Sequence, residues 1–355
     1  MNEMALVLQG GGALGAFEYG VVIKLIELGW KPVAVTGVSI GAVNAAAIAG
    51  AKDGDVIASL HSMWEAITLP NLAWLPASWQ SNFSLLGNPN FWQSRTDYLQ
   101  MPNWTSLCST DPMYATLRKN LDFGQINNEN HIRLGVTATS LQTGGPTTFS
   151  NYLAPGYHSD DDHHTALRTE ITPAHIMASG ALPPGFPAVT LDDRYYWDGG
   201  LFSNTPIDAL LNLLHPDEIE SLPIFVIDLF PTQGLPEPKN LLEVQTRAMA
   251  LQYQNRFWSE YGGSADTAGF VAMLEQLDKE VGAKSALRNN RAFEWLQRLR
   301  ALKNIRVIGS APAAAGADHD FSQYGVNNAY EAGRAAVATF FTQTETQRPR
   351  LRAAA

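Results

Sequence analysis

The stretch Val33-Ala34-Val35-Thr36-Gly37-Val38-Ser39-Ile40-Gly41-Ala42-Val43-Asn44-Ala45-Ala46-Ala47-Ile48-Ala49 decides how this chain folds. It opens on a short β-branched run, turns on a serine set between two glycines, and continues into small residues that suit a helix. Strand, sharp turn and small-residue helix in that order form the context in which a serine is lifted above a sheet on strained backbone. Glycines flank such a serine because strand and helix come so close there that side chains would collide. The helix starts at the serine, so its N-terminus favours negative charge developing beside the hydroxyl. Ser39 is therefore the candidate nucleophile. Taken without its surroundings the G-x-S-x-G pentapeptide is a common chance match, and an ordinary turn into a helix is the plainer reading. The placement is what raises it.

Upstream, Ala5 to Leu8 reads as a buried strand running into Gly10-Gly11-Gly12-Ala13-Leu14-Gly15, followed by a helix with Phe17, Val21, Leu25 and Leu28 at helical spacing. This strand-helix-strand-helix start predicts an α/β fold, a three-layer sandwich around a central, mostly parallel sheet. Consecutive glycines beside a helix start expose backbone N–H groups that can cradle an anion, and next to a nucleophilic serine such a cradle is an oxyanion hole. The same residues offer a rival. Gly10, Gly12 and Gly15 satisfy the G-x-G-x-x-G fingerprint of a nucleotide-binding oxidoreductase. That fingerprint requires an acid at the end of the second strand to hold a ribose, and Val35-Thr36-Gly37-Val38-Ser39 contains none.

Further strands are expected at Ile132 to Thr139, Thr147 to Ser150, Arg194 to Trp197, Ile224 to Leu229 and Ile305 to Ile308. Helices are expected at Val56 to Ile67, Pro112 to Asn120, Pro173 to Ser179, Pro206 to Leu214, Leu241 to Tyr261 and Tyr324 to Phe341. One domain over residues 1–345 accounts for these, with a helical C-terminal region from about residue 240 and a frayed tail at 346–355. Between Leu69 and Thr110 the pattern breaks. Trp74, Trp79, Phe83, Trp92 and Trp104 sit among Pro and Asn without a period, as a loop-rich insertion that is either a lipid-facing lid or packed core. Tyr195-Tyr196-Trp197-Asp198-Gly199-Gly200 is a short aromatic strand ending in a turn, where Asp before Gly is by itself only a turn former.

Composition narrows the classes. The chain has 355 residues, 45% of them hydrophobic, only 16% charged, with a formal net charge of -10, which leaves no basic stripe for nucleic acid. The lone Cys108 cannot form an internal disulfide and reads as a small buried hydrophobe. The N-terminus lacks a basic region before its apolar run, and every apolar run is too short to span a bilayer, so a cytoplasmic protein is expected, at most peripheral at a membrane. Asp160, Asp161, Asp162, His163 and His164 could hold a cation but read more simply as a solvated loop, and a reaction free of metal and cofactor is expected. A conventional triad would need His215 or His319, the histidines that follow Asp198. The first sits at a helix end and the second in a polar turn.

The triple-glycine turn, G-x-S-x-G and Asp-Gly-Gly, taken in that order, resemble the patatin-like phospholipase family, particularly its bacterial members. Ala178-Ser179-Gly180-Ala181-Leu182-Pro183-Pro184-Gly185-Phe186-Pro187 and Asn204-Thr205-Pro206 resemble it too, so the likeness covers roughly residues 4 to 230. It implies a Ser-Asp dyad in which Ser39 attacks an ester carbonyl and Asp198 serves as base without a histidine. The backbone of Gly10, Gly11, Gly12 and Ala13 would hold the oxyanion, with Ile40 a further donor, while Gly15, Gly37, Gly41, Gly199 and Gly200 shape the turns. The implied activity is lipid acyl hydrolysis of phospholipase A, lysophospholipase or carboxylesterase type through an acyl-serine, with a lipid or ester as partner. One departure stands out. Family members often carry Lys or Arg where this chain has Leu14, which removes a charge and brings lysophospholipids, monoacylglycerols and simple esters level with phospholipids. A non-catalytic lipid-binding relative is the remaining alternative.

Overall fold

The computed structural model describes residues 2–71, 87–128, 130–154, 165–230, 237–253, 264–311 and 317–347. In chain order its strands are β1 (Asn2–Leu8), β2 (Trp30–Gly37), β3 (Gly87–Asn88), β4 (Trp92–Ser94), β5 (Cys108–Ser109), β6 (Arg133–Ser140), β7 (Pro146–Ser150), β8 (Thr165–Arg168), β9 (Val189–Leu191), β10 (Arg194–Asp198), β11 (Ile224–Asp228) and β12 (Ile305–Gly309). The helices are α1 (Gly15–Glu27), α2 (Ile40–Ala49), α3 (Val56–Ile67), α4 (Asp111–Asn120), α5 (Phe123–Ile126), α6 (Pro173–Ser179), α7 (Ile207–Leu211), α8 (Leu241–Tyr253), α9 (Ser264–Glu280), α10 (Arg291–Arg298) and α11 (Gln323–Gln347).

The main sheet runs β12-β11-β1-β2-β6 with every neighbouring pair parallel, and β10, β9 and β7 add to it antiparallel. This is the mostly parallel α/β sheet expected from the first fifty residues. A central parallel strand is covered on both faces, so it carries a continuous apolar run. Met4 to Leu8 of β1 are all fully buried. Their alternation sorts them into two cores: Met4, Leu6 and Leu8 pack with α1, α2, α3 and α11, whereas Ala5 and Val7 pack with α7 and α9. Helix α2, Ala-rich and buried along its whole length, can lie against the sheet because its side chains are small.

The expected strands all form; the first two start about three residues earlier than expected, at Asn2 and Trp30, and the others have ends shifted by a residue. The helix expected over Pro206 to Leu214 is shorter, Ile207–Leu211. Its final carbonyls are claimed by side chains instead: Arg298 Nη1 donates to Leu211 and Leu214 O, both at 3.1 Å, and Arg133 Nη1 to Leu213 O at 2.6 Å. Within the Trp-rich insertion, β3, β4 and β5 make a small antiparallel sheet. Trp92 is buried there against Phe91, Phe186 and Phe321, which for this residue is packed core. Trp104 lies under the Arg95 guanidinium. Trp74, Trp79 and Phe83 lie outside the described residues, as do Asp160 to His164 and the tail from residue 348. No described helix is long and apolar enough to cross a membrane.

Candidate active site

Strand β6 brings the site together. Its first half, Arg133 to Val136, pairs with the end of β2 in parallel, and Ala138 to Ser140 pair with the end of β10 in antiparallel, while β7 pairs with Gly135 to Thr139 along the opposite edge. Strands β2 and β10 therefore run head to head along one edge of β6 and stop on either side of Thr137. The residues that leave their ends, Ser39 and Asp198, have to meet.

Ser39 takes φ 54° and ψ -122°, a conformation that L side chains adopt only under constraint. The constraint is visible at its flanks. A Cβ on Gly37 would lie 2.2 Å from Gly41 O, and one on Gly41 would lie 2.6 Å from Gln9 O. The Ser39 N–H is shared between Ser179 O at 3.1 Å and Ser179 Oγ at 3.0 Å, and that hydroxyl donates to Thr137 O at 2.6 Å. Ser179, fully buried at the end of α6, thus fastens the serine turn to the point where β2 and β10 meet. The serine itself stays only partly buried.

Asp198 is buried, its N–H donating to Ala181 O at 3.0 Å and its carbonyl accepting from Thr139 Oγ1 at 2.8 Å. One carboxyl oxygen, Oδ1, accepts the Gly200 N–H at 2.7 Å. Burial pushes this carboxyl up to about 6, against the lowering influence of the Gly200 N–H and the Ser39 side chain. Gly199 is pressed so closely on Thr137 that a Cβ would sit 2.2 Å from its carbonyl oxygen. Gly200 leaves room for Asn204 and the ring of Tyr253.

The glycine loop lies beside the serine: a Cβ on Gly10 would come within 3.0 Å of Ser39 Cβ. The four donors expected from this loop are not equivalent. The Gly10 N–H is committed to Asn204 Oδ1 at 2.9 Å, whereas the N–H groups of Gly11, Gly12 and Ala13, and that of Ile40 at the start of α2, have no partner among the described residues. Gly12 takes φ +56° against the carbonyl of Asp318, and Gly15 lies under the Ile40 side chain.

Neither histidine is hydrogen-bonded to Ser39 or Asp198. His215 Nδ1 pairs with Tyr152 OH at 3.1 Å, in the cluster where Glu218 binds Arg133 at the start of β6, the end remote from Ser39. His319 Nδ1 pairs with Asp318 Oδ2 at 3.0 Å, an interaction that holds its imidazole above the usual range. Among the described residues no three His, Cys, Asp or Glu side chains are grouped so as to hold a metal ion.

Sequence reasoning passed over Ser179 and Asn204 as actors, although both sit in blocks that it marked. It gave Gln9, Glu18 and Asn44 no role. Glu18 is fully buried in α1, its Oε1 accepting the Gln9 N–H at 2.6 Å and its Oε2 accepting Asn44 Nδ2 at 2.9 Å. A carboxyl set among Ala16, Phe17, Tyr19 and Val21 was the available signal.

A solved structure, VipD from Legionella pneumophila, is 14% identical to this chain and has a TM-score of 0.38 with it, the match covering 96% of this chain and 67% of that one. No curated protein matches the chain in sequence. The family model described as patatin-like phospholipase matches residues 6–211, a span that holds the glycine loop, the serine turn and the Asp-Gly-Gly block, and the chain therefore belongs to the patatin-like phospholipase family.

Proposed function

We propose that this protein hydrolyses lipid acyl esters through a Ser39-Asp198 dyad. The observation that carries this reading is the register on β6 that brings the ends of β2 and β10 together, so that Ser39 and the buried carboxyl of Asp198 stand side by side next to a glycine loop whose N–H groups have no partner among the described residues. Ser39 Oγ attacks the ester carbonyl and gives its proton to Asp198. The carbonyl oxygen becomes an oxyanion held by the N–H groups of Gly11, Gly12, Ala13 and Ile40. Collapse expels the alcohol, which takes the proton from Asp198, and leaves Ser39 acylated. Water then gives a proton to Asp198 as it attacks the acyl carbon, a second oxyanion forms in the same cradle, and the acid leaves as the proton returns to Ser39. An exposed aspartate would be a feeble base near neutrality. One raised to about 6 is still ionised at pH 7 and holds a proton far better.

The substrate is a lipid acyl chain rather than a soluble polar ester. Leu201 and Phe202, directly after the Asp-Gly-Gly turn, are exposed and offer an apolar rim to a lipid aggregate, so contact with a membrane surface is transient and peripheral. Leu14 packs against the core and presents no charge at the donor loop, which suits lysophospholipids and monoacylglycerols as well as phospholipids.

Fluorophosphonate labelling read by mass spectrometry tests the dyad. The probe is expected on Ser39 in the wild type and in His215→Ala and His319→Ala, and absent from Ser39→Ala and Asp198→Asn. A folded wild type that does not label overturns the proposal, and labelling lost with His319→Ala replaces the dyad with a triad.

A further inference from the structure

Two consecutive residues after the Asp-Gly-Gly turn hold two consecutive residues at the end of β1. Asn204 Oδ1 accepts the Gly10 N–H at 2.9 Å and Asn204 Nδ2 donates to Gly10 O at 3.0 Å, so one side-chain amide reads both polar groups of a single residue. The other Nδ2 hydrogen serves Tyr253 O, also at 3.0 Å, at the end of α8. Next to it, Gln9 Nε2 donates to Thr205 Oγ1 at 2.7 Å, and Gln9 Oε1 accepts the Leu229 N–H at 2.8 Å. Asn204 is 6% exposed, so these bonds form away from competing water.

We infer that Asn204 and Thr205 are positioning residues that aim the oxyanion donors at the carbonyl attacked by Ser39, an inference that rests on the dyad reading above. The reason is the planarity of the peptide bond. Gly10 C=O and Gly11 N–H belong to one trans peptide unit and point in opposite directions, so fixing the first fixes the second. Holding the Gly10 N–H fixes the preceding plane as well, and glycine, which otherwise has the widest backbone freedom, is left with none. The clamp also ties the donors to the turn that presents Asp198. Donors and base keep their mutual distance as one body, as preorganised stabilisation of charge requires.

Asn204→Ala and Thr205→Val in the full chain test this, with kcat on a p-nitrophenyl ester expressed per serine titrated to completion by fluorophosphonate. Counting per titrated serine removes any loss of folded protein. Asn204→Ala is expected to lower kcat about 100-fold with KM changed less than about threefold, since the donors act on the transition state and not on the bound ester. Affinity for a trifluoromethyl ketone, whose adduct carries the oxyanion, is expected to fall in parallel. Thr205→Val keeps the side-chain shape and is expected to lower kcat about fivefold with the same pattern. If Asn204→Ala does not fold, the Thr205→Val pattern decides. A kcat within twofold of wild type in every variant that folds, or a loss confined to KM, overturns the clamp and leaves the dyad standing. A folded wild type that neither labels nor turns over the ester overturns the dyad reading and the clamp with it.

Discussion

Asp198 and Glu18 are two buried carboxyl groups on the same core, and their surroundings assign them opposite tasks. Burial pushes Glu18 up to about 8, further than Asp198 at about 6, so the size of the shift alone would select Glu18 as the functional group. Geometry selects Asp198. Both oxygens of Glu18 are occupied, by the Gln9 N–H and by Asn44 Nδ2, while Asn44 also binds Gly15 O and accepts the Trp64 indole N–H at 2.8 Å. Glu18 is thus a rivet between the end of β1, α1 and α2, closed on every side. Asp198 gives Oδ1 to the Gly200 N–H and stands at the end of β10 beside the partly exposed Ser39, with which, on the dyad proposed above, it exchanges a proton. A perturbed carboxyl becomes a base only where its hydrogen-bond set is left open.

The largest effect expected from this contrast is in Asp198→Asn, which keeps an acceptor for Gly200 but cannot take a proton. Its kcat is expected to fall by about 1,000-fold or more, with Tm at pH 7 at or above that of the wild type because a buried charge has been removed. A kcat within tenfold of wild type would erase the distinction between the two carboxyls. Next in size is the pH profile. The base works ionised, so kcat/KM on a soluble ester should rise from acid with a midpoint near 6, where an unburied aspartate would give one near 4. The corresponding stability contribution has the reverse sense. The folded state keeps the Asp198 proton after the unfolded chain has lost it, so the contribution is complete below about pH 4 and is gone once pH has risen through about 6.

A smaller effect belongs to Glu18→Gln, where kcat per titrated serine should stay within about threefold of wild type. The readout that sharpens the comparison is denaturant stability between pH 6 and 8. With its folded value raised to about 8, Glu18 in the native state holds a proton that the unfolded chain lacks, so wild-type stability should decline with rising pH across that window and the variant should flatten the decline. The His319→Ala background removes an imidazole that its bond to Asp318 also holds above the usual range. A decline that survives Glu18→Gln in that background would show that Glu18 is not the titrating group. The smallest change expected is in His319→Ala alone, with steady-state activity within about twofold of wild type.

The order of elements around Ser39 was readable because strand, turn and small-residue helix follow one another directly in the chain and each leaves a local pattern. Asp198 was different. In isolation Asp-Gly-Gly is a turn, and only its likeness to a known family gave it a role, since the meeting of β2 and β10 on β6 is a matter of sheet register with no local trace. Asn204, Gln9 and Ser179 act through backbone groups far away in sequence, which periodicity does not record. Short strands such as β9, and β3 to β5 in the insertion, escaped because two or three residues cannot display an alternation. Glu18 could have been noticed. It was hidden because α1 is buried almost all round, so that no polar face stood out for it to contradict.

Strand β6 lies in the chain after the serine turn and before Asp198, and β2 and β10 must both dock on it before Asp198 stands beside Ser39. On the dyad proposed above, Ser39 emerges first during synthesis and remains without Asp198 until the chain has been extended past it and β10 has found its edge. A dyad assembled in this order stays idle until β10 has docked, and a copy truncated before β10 carries Ser39 with no carboxyl beside it.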